Sequence, residues 1–326
     1  MSGAIDFSGR AVIVTGAGGG LGREYCRLLA ARGAAVVVND LGGTTRGEGG
    51  SHEYADRVVE EIRVAGGRAV PSYDTVATPA GGEAIVRTAL EHFGRIDAVI
   101  NNAGNQRNVR FGELTMEDIE AVYAVHVKGA FFVTQPAYRR MQEQGYGRIV
   151  LVSSQSGIFG NPIRANYGSA KTAMIGLMNV IAQEAPPGIV VNCLFPNAVG
   201  GRLQGKPGEV RPDAEFLAAA AERVPHYIDG MQPAFVAPMA AYLASEHCTR
   251  SQGMYSVLGG KYSRIFVGLT HGWYRGGAAA PTPEDIEAHL GEIDDISHFD
   301  VPRSGLQEMD SVLALQRRLR STGRGD

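Results

Sequence analysis

Cysteine is scarce in this sequence: three residues in 326, at positions 26, 193 and 248, with no CxxC pair. That scarcity excludes a disulfide framework and a zinc ribbon, and it leaves Cys26, Cys193 and Cys248 as buried thiols of a reducing compartment. An excess of positive charge is missing too. The 31 Lys and Arg face 34 Asp and Glu, for a formal charge of -3. Nucleic acid is excluded as the main partner, because phosphate backbones demand a basic face. No apolar run approaches the roughly 18 residues of a membrane span. The opening "MSGAIDFSGR" lacks the basic and apolar stretches of a signal peptide, and the closing "STGRGD" carries no peroxisomal or retention tripeptide. The expected location is the cytoplasm, with no membrane partner. The eight histidines show no HExxH or other metal spacing, so no metal is expected.

What is present is a rhythm. Short β-branched runs at 11–15, 34–39, 68–73, 96–101, 148–154 and 189–195 read as buried strands. Amphipathic segments near 20–32, 52–66, 79–93, 116–143 and 166–185 lie between them. Alternation at this spacing predicts an α/β fold with a doubly wound parallel sheet, covered by helices on both faces. "GMYSVLGG" (253–260) would add a seventh strand. The expected domain runs from 1 to 260, with a substrate lid near 196–232 that includes a short helix at 213–223. Residues 261–326 form a helical extension, with helix starts at Thr282 and near 304, packing on the same domain or on a partner subunit.

"VTGAGGGLG" directly follows the first strand and opens the first helix. Gly16, Gly20 and Gly22 allow a tight turn and a close approach of the backbone to a pyrophosphate at the helix N-terminus. Eighteen residues after Gly22 stands Asp40, where a carboxylate can accept from a ribose 2′-hydroxyl and would repel a 2′-phosphate. Gly19 precedes Gly20, where a basic residue would have favoured NADP. Both signs point to NAD. "NNAG" (101–104) ends the fourth strand, where small and amide side chains line a cofactor and knit the sheet. Asp74, after the third strand, reaches the adenine or is only a turn residue.

Tyr167 precedes Lys171 by four residues, the only such pair in the chain, and on a helix the two share a face. A phenol titrates near ~10, too high for a base at neutral pH. A neighbouring ammonium would favour the phenolate and lower that value. Ser154, thirteen residues before the tyrosine, is placed to polarise a substrate oxygen. Lys171 is also placed to hold the nicotinamide ribose.

Thr15-Gly16 with Gly20 and Gly22, then Asn101-Asn102-Ala103-Gly104, then Ser154, Tyr167 and Lys171, resemble the short-chain dehydrogenase/reductase family over residues 9–260. "VVVNDLGG", "VHVKGAFFVT", "SGIFGNPIRANYGSAK" and the loop "LGGTTRGEGG" look most like its (3R)-hydroxyacyl-CoA dehydrogenase branch, found in peroxisomal multifunctional enzymes of type 2. The resemblance implies NAD contacts at Gly16, Gly20, Leu21, Gly22, Asp40, Asp74, Asn102, Ala103, Gly104, Tyr167 and Lys171. It implies that Ser154, Tyr167 and Lys171 are catalytic. His126 stands where the family usually has an asparagine, whose carbonyl is thought to hold a water beside the lysine; His126 is read as a support of the same proton relay.

The implied reaction is NAD-dependent interconversion of a (3R)-hydroxyacyl-CoA and its 3-ketoacyl-CoA. Arg202, Lys206 and Arg211 in the lid would meet CoA phosphates, or are solvated. The apolar residues of "DAEFLAAA" suit an acyl chain or a steroid-like alcohol equally. A silent NAD-binding module is the reading from another class, and it would predict an eroded Ser–Tyr–Lys set. Family members commonly pair the helices at 116–143 and 166–185, which implies a homodimer or homotetramer.

Overall fold

The computed structural model describes residues 4–198, 213–276 and 280–321. The chain divides into two compact units, Met1–Arg264 and Ile265–Asp326.

The first unit is built on one sheet: β1 (Ala11–Thr15), β2 (Ala35–Asn39), β3 (Arg68–Ser72), β4 (Ala98–Asn101), β5 (Gly147–Val152), β6 (Ile189–Asn197), β7 (Gly253–Leu258) and β8 (Lys261–Ile265). Their spatial order is β3-β2-β1-β4-β5-β6-β7-β8, and every ladder from β3 to β7 is parallel. Strands β1, β2, β4 and β5 are buried along their whole length. Continuous Val/Ile runs are what a sheet covered on both faces requires. The eighth strand exceeds the seven expected. Gly259 and Gly260 take φ of 57° and 78°, and two left-handed residues form a hairpin turn that folds the next segment back onto the edge.

One face of the sheet carries α1 (Gly20–Ala31), α2 (Glu53–Val64) and α8 (Pro233–Ala244). The other carries α3 (Pro79–Phe93), α4 (Met116–Tyr123), α5 (Gly129–Gln144) and α6 (Ala165–Glu184). Tyr25 and Leu29 of α1 and Val236 of α8 meet Val12, Val14, Val36 and Val38 in the core between helices and sheet. Local signals end the helices where the pattern predicts. Thr78 caps α3 by accepting from the Gly81 N–H (3.1 Å), Pro79 follows it, and Gly94 closes the helix with φ 72°. The segment expected as one helix over 116–143 is instead interrupted by a π turn at Ala124–Lys128. An extra residue in a helical turn shifts the face that follows, and such turns recur at functional sites. His126 lies inside it.

Strand order reverses between β1 and β4, so the crevice of this sheet opens beyond the carboxyl ends of those strands. Asn101 to Gly104, Thr15 to Gly20, and Ser154 all stand at that edge. The short α7 (Ala214–Arg223) appears as expected near 213–223.

The second unit holds the pair β9 (Leu269–Thr270) and β10 (Phe299–Asp300), with α9 (Pro283–Ala288), α10 (Leu290–Ile293) and α11 (Gly305–Ser321). Thr282 and Asp285 form a reciprocal capping box at the start of α9. Trp273 stacks on His289 with ring centroids 4.1 Å apart. Among the described residues, no helix is long and apolar enough to cross a membrane.

Candidate active site

The glycine turn between β1 and α1 is left-handed at Gly16 (φ 63°) and Gly20 (φ 50°). A Cβ on Gly16 would lie 2.7 Å from the Ala103 Cα, so only glycine lets the two loops meet. Thr15 holds them together: its hydroxyl accepts from the N–H groups of Asn102 and Ala103, each at 3.0 Å. The Asn102 amide returns a bond to the Thr15 carbonyl at 2.9 Å and to that of Gly16 at 3.0 Å. The motif at 101–104 therefore knits β4 to β1, as its small and amide residues suggest.

A cleft of about 270 Å³ opens beside this junction. Gly16, Gly20, Leu21, Asp40 and Asp74 line it, as do Asn102, Ala103 and Gly104. Gly22 does not. It is buried, and a Cβ there would stand 2.4 Å from the Gly16 carbonyl oxygen; its role is to let α1 pack against the turn. Asp40 is buried and already engaged. One carboxylate oxygen accepts from the Gly18 N–H and the other from the Gly42 N–H, each at 2.7 Å. A ribose acceptor was expected here; the same carboxylate also clamps the glycine turn to the loop at 41–50. Asn39, which sequence reasoning passed over, donates to the carbonyls of Ser72 (3.3 Å) and Asp74 (2.9 Å) and so fixes the wall on which Asp74 stands.

Ser154 lies two residues past the end of β5 and is buried; its hydroxyl accepts from the Ser156 N–H at 3.2 Å. Tyr167 and Lys171 occupy successive turns of α6, with the Lys171 ammonium 5.6 Å from the centre of the Tyr167 ring. The ammonium donates to the Val152 carbonyl at 2.7 Å. His126 is edge-on to Tyr167, rings perpendicular and centroids 5.2 Å apart. Its Nε2 lies 2.8 Å from the Asn105 carbonyl, to which it donates as the Nε2–H tautomer, and 3.1 Å from the Asn105 N–H, from which it accepts as the Nδ1–H tautomer; its buried Nδ1 has no partner among the described residues. Lys171 and His126 also share the wall of a chamber of about 10 Å³ with Thr15 and Asn101, room for about one water. Val76, Ala103 and Val125 line both this chamber and the larger cleft. The structure thus brings all four expected catalytic residues to one place.

The electrostatics correct one expectation. The lysine was expected to pull the phenol down, yet burial pushes Tyr167 up from its usual value near 10, and hydrogen bonding by Ser154, the charge of Arg164 and hydrogen bonding by Gln106 offset this only in part. Burial also drives Lys171 down to about 7. Lys171 is not among the groups that draw the Tyr167 phenol down, and its ammonium is bonded to the Val152 carbonyl. His126 sits well below its ordinary value, through burial first and the nearby Lys171 second; a neutral imidazole follows.

Sequence reasoning missed the stretch Asn105-Gln106-Arg107, which follows the knitting motif and touches His126, Tyr167 and Asp118. Its only signal is three polar residues where the chain leaves a strand end. It also missed Ile163, whose φ of 61° is rare for a β-branched residue; its carbonyl accepts from the Val109 N–H at 3.0 Å. Arg202, Lys206 and Arg211 lie outside the described residues. On α7, Phe216 and Leu217 of "DAEFLAAA" are exposed.

A family model described as short chain dehydrogenase matches residues 10–209. The chain is 39% identical over 312 residues to peroxisomal multifunctional enzyme A of Dictyostelium discoideum, covering 95% of this chain and 66% of that protein. It is 42% identical over 289 residues to a short-chain type dehydrogenase/reductase of Mycobacterium tuberculosis, covering 88% of this chain and 95% of that one. Full-length peroxisomal multifunctional enzyme type 2 from Drosophila melanogaster superposes with a TM-score of 0.74 at 30% identity, over 97% of this chain and 51% of its own. The chain therefore spans between half and two thirds of these multifunctional enzymes.

Proposed function

Because the chain belongs to the short-chain dehydrogenase family, a family of oxidoreductases, we propose that it interconverts a secondary alcohol and a ketone with NAD, the alcohol being a (3R)-hydroxyacyl-CoA. One observation carries the reading. Tyr167, Ser154 and Lys171 converge beside a chamber that shares three wall residues with a glycine-bounded cleft.

The cleft suits NAD. Its left-handed glycines leave the backbone bare at the N-terminus of α1, where a pyrophosphate is favoured. Asp40 and Asp74 line it, and no lysine or arginine does among the described residues, which disfavours a 2′-phosphate. NAD bound there supplies the hydride acceptor. Tyr167 as phenolate takes the hydroxyl proton of the alcohol in oxidation, and as phenol returns it in reduction. Ser154 hydrogen-bonds the substrate oxygen and holds it against the phenol. Lys171, anchored by Val152, and His126, anchored by Asn105, keep that ring in place and border the water-sized chamber through which its proton exchanges.

The acyl-CoA assignment is supported by the likeness to multifunctional enzymes of the type 2 kind and by the exposed Phe216 and Leu217 on α7. Phe131 on α5 and Val180 on α6 are each about half exposed, which supports pairing of these helices between subunits in a homodimer or homotetramer.

The test is NADH formation at 340 nm with (3R)-hydroxyacyl-CoAs of several lengths, and with hydroxysteroids in parallel. Turnover of the acyl-CoAs is expected, falling by about 10²–10⁴-fold or more in Tyr167→Phe with NAD binding retained. Turnover of hydroxysteroids alone would overturn the substrate and keep the mechanism. NAD binding without turnover of any alcohol or ketone would overturn both.

A further inference from the structure

The stretch Asn105-Gln106-Arg107 lies between the loop at 41–50 and the residues around Tyr167, and each of its residues meets both. On the cleft side it meets the loop at 41–50, of which Thr44, Thr45 and Gly47 line the cleft. The Gln106 N–H donates to the Thr45 carbonyl at 2.9 Å. Gly47 takes φ 85°, and a Cβ there would stand 2.7 Å from the Asn105 amide nitrogen, so the loop is pressed against this stretch. Arg107 lies 3.8 Å from Glu48 of the loop.

On the catalytic side, the Asn105 backbone holds His126, and the Gln106 side chain bonds the Tyr167 phenol. The Arg107 carbonyl accepts from the buried Asn166 amide at 3.1 Å, and the Asp118 carbonyl does so at the same distance. The Asn166 side-chain oxygen accepts from the Tyr167 N–H at 2.8 Å. Asn166 thus ties the first turn of α6 to both residues.

The joint between the two sides is ionic. The Arg107 side chain is 9% exposed, and its guanidinium donates to Glu117 at 2.9 Å and to Asp118 at 3.4 Å. Arg46 of the loop lies 3.8 Å from Asp118 and 3.6 Å from Glu48. A buried guanidinium is tolerated only among opposite charges. Arg107 draws its carboxylates from two segments, and one of them, Glu48, belongs to the loop.

We propose that the loop at 41–50 is a strap by which an occupied nucleotide cleft aligns Tyr167, with Arg107 as the positioning residue through which it acts. The inference rests on the reading that NAD fills the cleft and Tyr167 moves the proton. A cofactor lying against Thr44, Thr45 and Gly47 holds the strap down. Glu48 and Arg46 then draw Arg107 and Asp118 together, and Asn166, bonded to both, sets the turn that carries Tyr167. Asp40, bonded to Gly42, roots the strap at the cleft itself.

The experiment compares Glu48→Gln, which removes an exposed carboxylate and spares the core, with Arg107→Lys and the double variant. At saturating NAD and alcohol, Glu48→Gln is expected to lower kcat by about threefold and Arg107→Lys by about tenfold, and the double variant to be no worse than Arg107→Lys. Wild-type kcat in both single variants, with changes only in Tm, would overturn the proposal. So would losses that simply multiply. A second readout does not need turnover: amide hydrogen exchange of residues 164–171 with and without NAD. Protection by NAD is expected in the wild type and is expected to weaken in Glu48→Gln; equal protection in both overturns the strap even if the alcohol has been misassigned. Absence of NAD binding would overturn the assignment of the cleft and the strap together.

Discussion

Gly104 stands against the imidazole of His126 so closely that a Cβ on the glycine would lie 2.6 Å from the ring Cε1. The ring has nowhere to retreat, because it is buried, bonded to Asn105 and edge-on to Tyr167. Gly104→Ala is therefore expected to displace His126 or the turn itself. The variant should remain folded, because Gly104 is exposed to the cleft, and should lose roughly tenfold or more in kcat, the scale of a small misplacement near a reacting group. Steady-state rates beside a thermal melt check this; unchanged kcat would show that the ring's position is immaterial.

The pH dependence follows from the direction of the Tyr167 shift. Burial holds the phenol above its usual value near 10, so it stays protonated through the neutral range. Oxidation needs the phenolate, and its rate should climb about tenfold per pH unit from neutral into the alkaline range. Reduction uses the phenol and should show no such rise. Paired pH profiles in the two directions would test it, and a plateau of oxidation below pH 8 would mean that a bound cofactor reverses the burial effect.

Lys171 carries a stability consequence of known sign. Its folded pKa of about 7 lies below the ordinary lysine value of 10.5. Between those values the unfolded chain binds the proton and the folded chain does not, so wild-type stability rises with pH across that window. Below about 7 the buried ammonium weighs fully against the fold. Lys171→Met should therefore melt higher than wild type near pH 6–7, and the gap should narrow as the pH climbs toward 10.5. Melting curves over that range decide it; a gap that widened with pH would contradict the buried, weakened ammonium.

Asp40→Asn separates the two roles of that side chain. Asparagine has one acceptor oxygen where two backbone N–H groups, from Gly18 and Gly42, now find two. One buried donor would lose its partner, at about 1–3 kcal/mol. A lower Tm without cofactor is expected, along with a raised KM for NAD. An unchanged Tm with raised KM would confine Asp40 to the ribose.

The alternation of Val/Ile runs with amphipathic segments, together with the glycine turn, already specified a parallel sheet with its crevice at the strand ends. That pattern is readable because backbone hydrogen bonding admits few ways to bury such runs. The helix start at Thr282 was legible for the same local reason. The π turn at 124–128 was not, since 116–143 keeps a helical period on both sides of the extra residue. The eighth strand was hidden behind Gly259 and Gly260, which read as an end and not as a hairpin.

The site divides along the same line. Spacing alone set Tyr167 and Lys171 on one face of a helix, and position after a strand set Ser154, Gly16 and Asp40 at one edge. Those are local properties of the chain, and the sequence by itself determined them. The sense of the Tyr167 shift, the double engagement of Asp40, and the ties from Glu48 through Arg107 to Asn166 were decided only by tertiary structure. Each depends on burial or on contacts far apart in sequence, such as Gly18 with Asp40 across 22 positions and Arg107 with Asn166 across 59. Desolvation and ion pairing act through space, and no one-dimensional pattern records which charges the fold will enclose together.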